Sequence, residues 1–264
     1  MPDHDDNPIP DGVDPDRGLE MKGKEQTMPV QYFSELPLFA GLSVDLRELV
    51  GNIEHHAGRR IAVERTEIGK MACDFDRHVA VIQVPDAGPP RVSSVFHELL
   101  HLKRYFVDGV PKLRRCGDEH RLDDETTQFE CLDSQIEHLF IVPRELARYR
   151  NARGYWEVRV GAVLNDPGLA DDVALVASEF VHRVLNGGVL SDAAQAQIQR
   201  RGLVDACNRF HQAADESKEA ATLCLFETFE LGREKLPRVC LDYFARPQEV
   251  PLASIKGAPV RARG

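Results

Sequence analysis

The hydrophobic pattern begins late in this chain. Residues 1–28 are rich in Asp, Pro and Gly and hold few large apolar side chains. A segment of that composition cannot bury enough apolar surface to offset its ordering entropy, and it predicts a disordered acidic tail. From Pro37 the pattern becomes globular. Ser43 precedes Leu46, Leu49, Val50 and Ile53, whose spacing predicts a helix. The pair His55–His56 closes it, at the end where cationic side chains suit the helix dipole. Two β-branched runs follow, 61–65 and 78–84. They predict two strands, the second central or half-buried. Pro85 to Pro90 ends that strand in a loop.

The stretch 91–106 reads RVSSVFHELLHLKRYF. Val95, Leu99, Leu102 and Phe106 recur at spacings of three and four, so one stripe of a helix is buried. Ser93 or Ser94 is placed to cap its start. A second helix is predicted over about 124–139, with Phe129, Leu132, Ile136 and Leu139 or Phe140 on its apolar face. From about Glu145 the chain reads as all-helical: 171–185, a helix from Ser191 to Arg200, and a long run from Leu203 to Gly232. Residues 247–264 are basic, carry Pro and Gly, and read as a loose tail. No internal repeat is present. The expected class is α+β: a small twisted sheet packed on two helices within 29–150, then a mostly helical part over 151–246.

Composition narrows the partners. Among 264 residues, 33 basic side chains face 43 acidic ones, for a net charge of −10. Phosphate binding needs clustered Lys and Arg, so nucleic acid is not the expected partner. The basic positions 112–115 run into an acidic segment at 118–125 and read as a mixed surface loop. There is no run of 18 apolar residues and no signal-type apolar core near the start, so neither a membrane nor export is expected. The cysteines at 73, 116, 131, 207, 224 and 240 form no CxxC pair. They are read as reduced thiols, which together with the missing export signal predicts a cytoplasmic location.

The chemistry concentrates at His97-Glu98-Leu99-Leu100-His101, an HExxH sequence inside the predicted helix. Positions i and i+4 share a helix face, so His97 and His101 can grip one metal ion while Glu98 reaches a water beside it. Tyr105 continues the same stripe. These are parts of a zinc hydrolase, which needs a third protein ligand and an open position. The residues after His101 exclude the pattern HExxHxxGxxH. The second helix offers Glu130, Asp133 and Glu137 at i, i+3 and i+7, a row that faces either a metal or solvent. Cys131 is a further soft donor, although a helical neighbour of Glu130 points about 100° away.

HExxH followed 29 residues after its second His by a helical Glu resembles the ImmA/IrrE family of bacterial metallo-endopeptidases, which are gluzincin-like. Its ligand helix is written roughly ExxANxFAxxLLMP; Glu130 to Pro143 here reads ECLDSQIEHLFIVP. The resemblance covers roughly residues 60–145. It implies His97, His101 and Glu130 as zinc ligands and Glu98 as general base. Two departures stand out: Asp133-Ser134 replaces Ala-Asn, and Glu137 replaces a small Ala. Glu137, Asp133 or His138 is therefore an alternative third ligand.

The function expected from these features is a zinc metallopeptidase with a protein or peptide substrate, narrow in range and acting on a regulatory protein. A proton taken by Glu98 passes to the leaving amine. Tyr105, His138 and Tyr155 are the candidate donors to the oxyanion. His182 and His211 are read as structural. Two other readings compete: a catalytically idle metal-binding domain that docks a partner, and a different metal hydrolase or a purely structural helical protein. Oligomeric state is not expressed in the sequence.

Overall fold

The computed structural model describes residues 30–67, 69–117, 124–165, 172–185, 192–229 and 239–255. The predicted tail 1–28 and the last residues from 256 lie outside this set. The class is α+β as expected, with small sheets and a mostly helical C-terminal part. Helix α1 (Pro37–Ala40) is one turn; α2 (Val44–Ala57) is the helix predicted after Ser43. It ends at Gly58, whose φ of 65° lets the backbone turn back and bond Glu54 and His55.

Strands β1 (Ala62–Thr66) and β3 (Ala80–Pro85) match the two predicted runs, and they pair in parallel. Between them in sequence lies β2 (Ala72–Phe75), which the pattern did not announce; it pairs antiparallel with β3. The order β1-β3-β2 leaves β1 and β2 at the edges. The edge of β1 is covered by residues 31–33, through Val63 N–H to Gln31 and Phe33 N–H to Ile61. The central strand β3 alternates buried and half-buried residues, as a sheet with one covered face requires.

Helix α3 (Val92–Phe106) lies against this sheet and α2, burying Val95, Leu99, Leu102 and Phe106. Its N-cap is Arg91, in extended backbone directly after Pro89-Pro90, so the helix starts earlier than the serines predicted. Ser93 and Ser94 thus stand in the first turn rather than at the cap. Helix α4 (Asp124–Arg148) packs across α3 and runs longer than predicted, with Pro143 inside it.

Beyond α4 the chain is less uniformly helical than expected. Helices α5 (Arg153–Asn165), α6 (Asp172–Leu185), α7 (Asp192–Arg200), α8 (Val204–Glu216) and α9 (Lys218–Thr228) build a second core with α4. The long run predicted from Leu203 breaks at Ser217, whose extended backbone ends α8 and whose hydroxyl caps α9 by accepting from Ala220 N–H. A second sheet adds β4 (Lys112–Arg115), β5 (Val239–Tyr243) and β6 (Gln248–Pro251), all antiparallel in that order. Three expectations are corrected here. The basic run 112–115 is a strand and not a surface loop, 239–243 is strand within a stretch read as helical, and 248–251 is a paired strand where a loose tail was expected. Pairing over long sequence separation decides such strands, and local periodicity does not report it.

Cys116 at the end of β4 is joined to Cys240 on β5 by a disulfide, with Cα atoms 5.1 Å apart. This corrects the expectation of reduced thiols, on which the cytoplasmic placement partly rested. Cys73, Cys207 and Cys224 are free. No helix among the described residues is long and apolar enough to cross a membrane.

Candidate metal centre

The α3 stripe at Ser93, His97, His101 and Tyr105 forms one wall of a cavity of about 340 Å³. Strand β2 and the helices α4 and α5 supply the others. Both HExxH histidines point into it. Their Nε2 atoms face each other at 3.2 Å. Two nitrogens on one tetrahedral zinc at about 2.05 Å each lie about 3.3 Å apart, so this separation suits a shared ion.

A third imidazole joins them from α4, that of His138. Ligand atoms of His97, His101 and His138 all lie within 4.8 Å of one another, and all three side chains are buried. The ring of His138 packs 5.2 Å from His97, 5.3 Å from His101 and 4.9 Å from Trp156, centre to centre. Burial, together with the positive charge a protonated His97 would add, holds His101 and His138 well below the ordinary imidazole range. Both rings are therefore neutral near pH 7, the form that binds a metal.

The remaining predicted ligands are elsewhere. Glu130 is exposed on the cavity wall and is not in the three-histidine group. It precedes His138 by eight residues, about 12 Å along the helix axis, so the register that brings His138 to the centre moves Glu130 away from it. Glu137 is fully buried but turned to the far side. Its carboxylate receives Arg104 Nε at 2.5 Å and Lys218 Nζ at 3.0 Å. Asp133 is likewise taken, accepting from Leu113 N–H and Lys218 Nζ, both at 2.7 Å. The side chain of Cys131 lies outside the described set.

Tyr105 also leaves its expected role. Its hydroxyl donates to Asp133 and accepts from Lys218 at 2.7 Å, so its proton is committed to a buried network. Burial and the Asp133 carboxylate push its pKa well above the ordinary phenol value. Tyr155 is half exposed at the mouth, its oxygen accepting from Arg159 at 3.1 Å. Its proton remains available.

Glu98, one residue beyond His97, is buried and lines the same cavity. Desolvation raises its pKa; a protonated His97 and a hydrogen bond with the Cys73 thiol act against that rise. Cys73 itself is pushed well above the ordinary thiol value by burial and by Glu98.

Two residues at this centre had been missed. Glu145 is buried and accepts from His97 Nδ1 at 3.0 Å and from Trp156 Nε1 at 2.8 Å. With its Nδ1 proton held by Glu145, His97 presents Nε2 to the centre. Trp156, the only tryptophan, packs against His97 with a tilted ring and against His138 edge-on. The spacing from His138 to Glu145 is seven residues, two helical turns, which was a legible sign that both share a face.

The fold and the centre define an α+β protein with a buried three-histidine group that can hold a metal ion. No family model, no curated protein and no solved structure matches the chain.

Proposed function

We propose that this protein is a zinc-dependent metallopeptidase in which His97, His101 and His138 hold the ion and Glu98 is the general base. The observation that carries the reading is the convergence of three buried imidazoles with a buried carboxylate in one cavity. Three nitrogen donors with the cavity beside them fit a catalytic zinc site, which keeps one position open. A zinc ion there supplies Lewis acidity and lowers the pKa of the water beside it. Glu98 accepts the proton of the attacking water and returns it to the leaving amine. Tyr155, with a free hydroxyl proton at the mouth, is the candidate donor to the oxyanion.

Strand β2 supports a peptide as substrate. Residues 72–75 line the cavity, and β2 stands at the sheet edge opposite the covered edge of β1. An extended peptide can add there as a further strand, held by main-chain hydrogen bonds. The order helix, small sheet, metal helix, ligand helix supports the ImmA/IrrE resemblance as well. His138 in the ligand group, where that family has the Glu at the position of Glu130, is a departure from it.

The test joins metal content to hydrolysis. The expected result is about one zinc per chain in the wild type and in Glu98→Gln, with peptide hydrolysis abolished only in the variant. His138→Ala should lower zinc affinity far more than Glu130→Ala. Equal zinc affinity of His138→Ala and the wild type would sink the ligand set, and full activity in Glu98→Gln would sink the mechanism. Zinc bound with no hydrolysis of any peptide would leave the idle metal-binding domain as the better reading.

A further inference from the structure

The proposed reaction leaves one end of the cavity unused. Helix α3 starts at Arg91 with no side-chain cap, and the N–H groups of Val92, Ser93 and Ser94 make no hydrogen bond among the described residues. Ser93 is 6% exposed, lines the cavity, and its hydroxyl has no hydrogen-bond partner among those residues. The oxygen is not sealed from the cavity, so it is free to take a hydrogen-bond partner from a molecule bound there. Two exposed cations line the same cavity, Arg91 two residues before Ser93 and Lys70 ahead of β2, neither in an ion pair with a described residue. The exposed acids on the wall, Asp74 and Glu130, belong to β2 and α4. Free N–H groups at a helix start, a lone hydroxyl and unpaired cations together make a receptor for an anion.

We propose that the α3 end of the cavity is a carboxylate-binding subsite, and that the substrate is a peptide whose carboxylate sits there. The inference rests on the peptidase reading for the rest of the substrate. The carboxylate comes from an Asp or Glu side chain or from the peptide's own C-terminus. Position follows from helix geometry. Ser93 precedes His97 by one turn, about 6 Å along the axis, and an extended peptide advances about 3.3 Å per residue. The recognised carboxylate therefore lies within about two residues of the bond presented to Glu98. The overall charge of −10 does not oppose this, since screening confines distant charges to about 8–10 Å.

The experiment uses the zinc-loaded full chain carrying Glu98→Gln, titrated calorimetrically with three N-acetylated hexapeptides: acetyl-AAAEAA-amide, acetyl-AAAQAA-amide, and acetyl-AAAAAA with a free C-terminus. The subsite predicts that one carboxylate-bearing peptide binds about tenfold or more tighter than the Gln peptide, matching one charge-assisted contact. Which one identifies the source. That preference should shrink to near unity with Arg91→Gln plus Ser93→Ala, exposed or isosteric changes that spare the core, and it should weaken with added salt. Equal binding of all three peptides, no binding of any, or a preference that survives the double change would overturn the subsite. The wild type is assayed on the same peptides for cleavage. Carboxylate-dependent binding without cleavage keeps the subsite and refutes the peptidase reading; cleavage indifferent to the carboxylate does the reverse.

Discussion

Replacing Glu145 tests how the centre is held in shape. The carboxylate fixes His97 through Nδ1 at 3.0 Å and is itself fixed by Trp156 Nε1 at 2.8 Å. Both contacts are buried, with Glu145 only 4% exposed. Glu145→Ala removes the group that selects the His97 tautomer and leaves Trp156 Nε1 without its acceptor. Loss of such an outer partner costs about 10- to 100-fold in metal affinity, or roughly 1.4–2.8 kcal/mol. Glu145→Gln retains one acceptor oxygen but not the charge, so a smaller loss is expected. Zinc affinity would be measured by competition with a chromophoric chelator, with Trp156 fluorescence as an independent report from the same site. Cobalt substitution adds a spectroscopic check on ligand geometry, and circular dichroism checks the fold. Wild-type zinc affinity in a folded Glu145→Ala protein would refute the argument. So would a larger loss in the Gln variant than in the Ala variant.

The remaining predictions concern the metal-free fold. His101 and His138 have depressed pKa values when folded, so the unfolded chain binds more protons than the native one once pH falls below about 6.5. Stability is fully present above that pH and declines below it, by up to about 1.4 kcal/mol per pH unit for each group; urea midpoints that do not change between pH 7.5 and 5 would contradict it. Lys218, 2% exposed, is held between Asp133 and Glu137, and Lys218→Met should destabilise by roughly 3–5 kcal/mol because two buried carboxylates lose their shared cation. Equilibrium urea unfolding measures this, and a loss below about 1 kcal/mol would show the network to be relaxed. Reducing Cys116–Cys240, separated by 124 residues, should lower stability by about 4–5 kcal/mol on the chain-entropy account. Thermal unfolding with and without a reductant reads it, and the Cys116→Ser plus Cys240→Ser chain should match the reduced wild type.

Local periodicity determined the elements that carry the chemistry. The buried stripe of α3 and the HExxH spacing within it were legible because both depend only on neighbours three and four residues apart. The apolar face of α4 and the β-branched runs of β1 and β3 were legible for the same reason. The third donor was not. Glu130, Glu137 and His138 share one helix, and which of them meets His97 and His101 depends on the axial register of α4 against α3, set by packing between distant residues. That register sends Glu137 to Arg104 and Lys218, the latter from α9, and brings His138 and Glu145 inward. Likewise β4 and β5 are joined from distant parts of the chain, and no periodic signal foretold their pairing or the disulfide beside it. Sequence alone determined which residues can do chemistry; only the tertiary structure decided which of them meet, because a helix register and a strand pairing are chosen by contacts far apart along the chain.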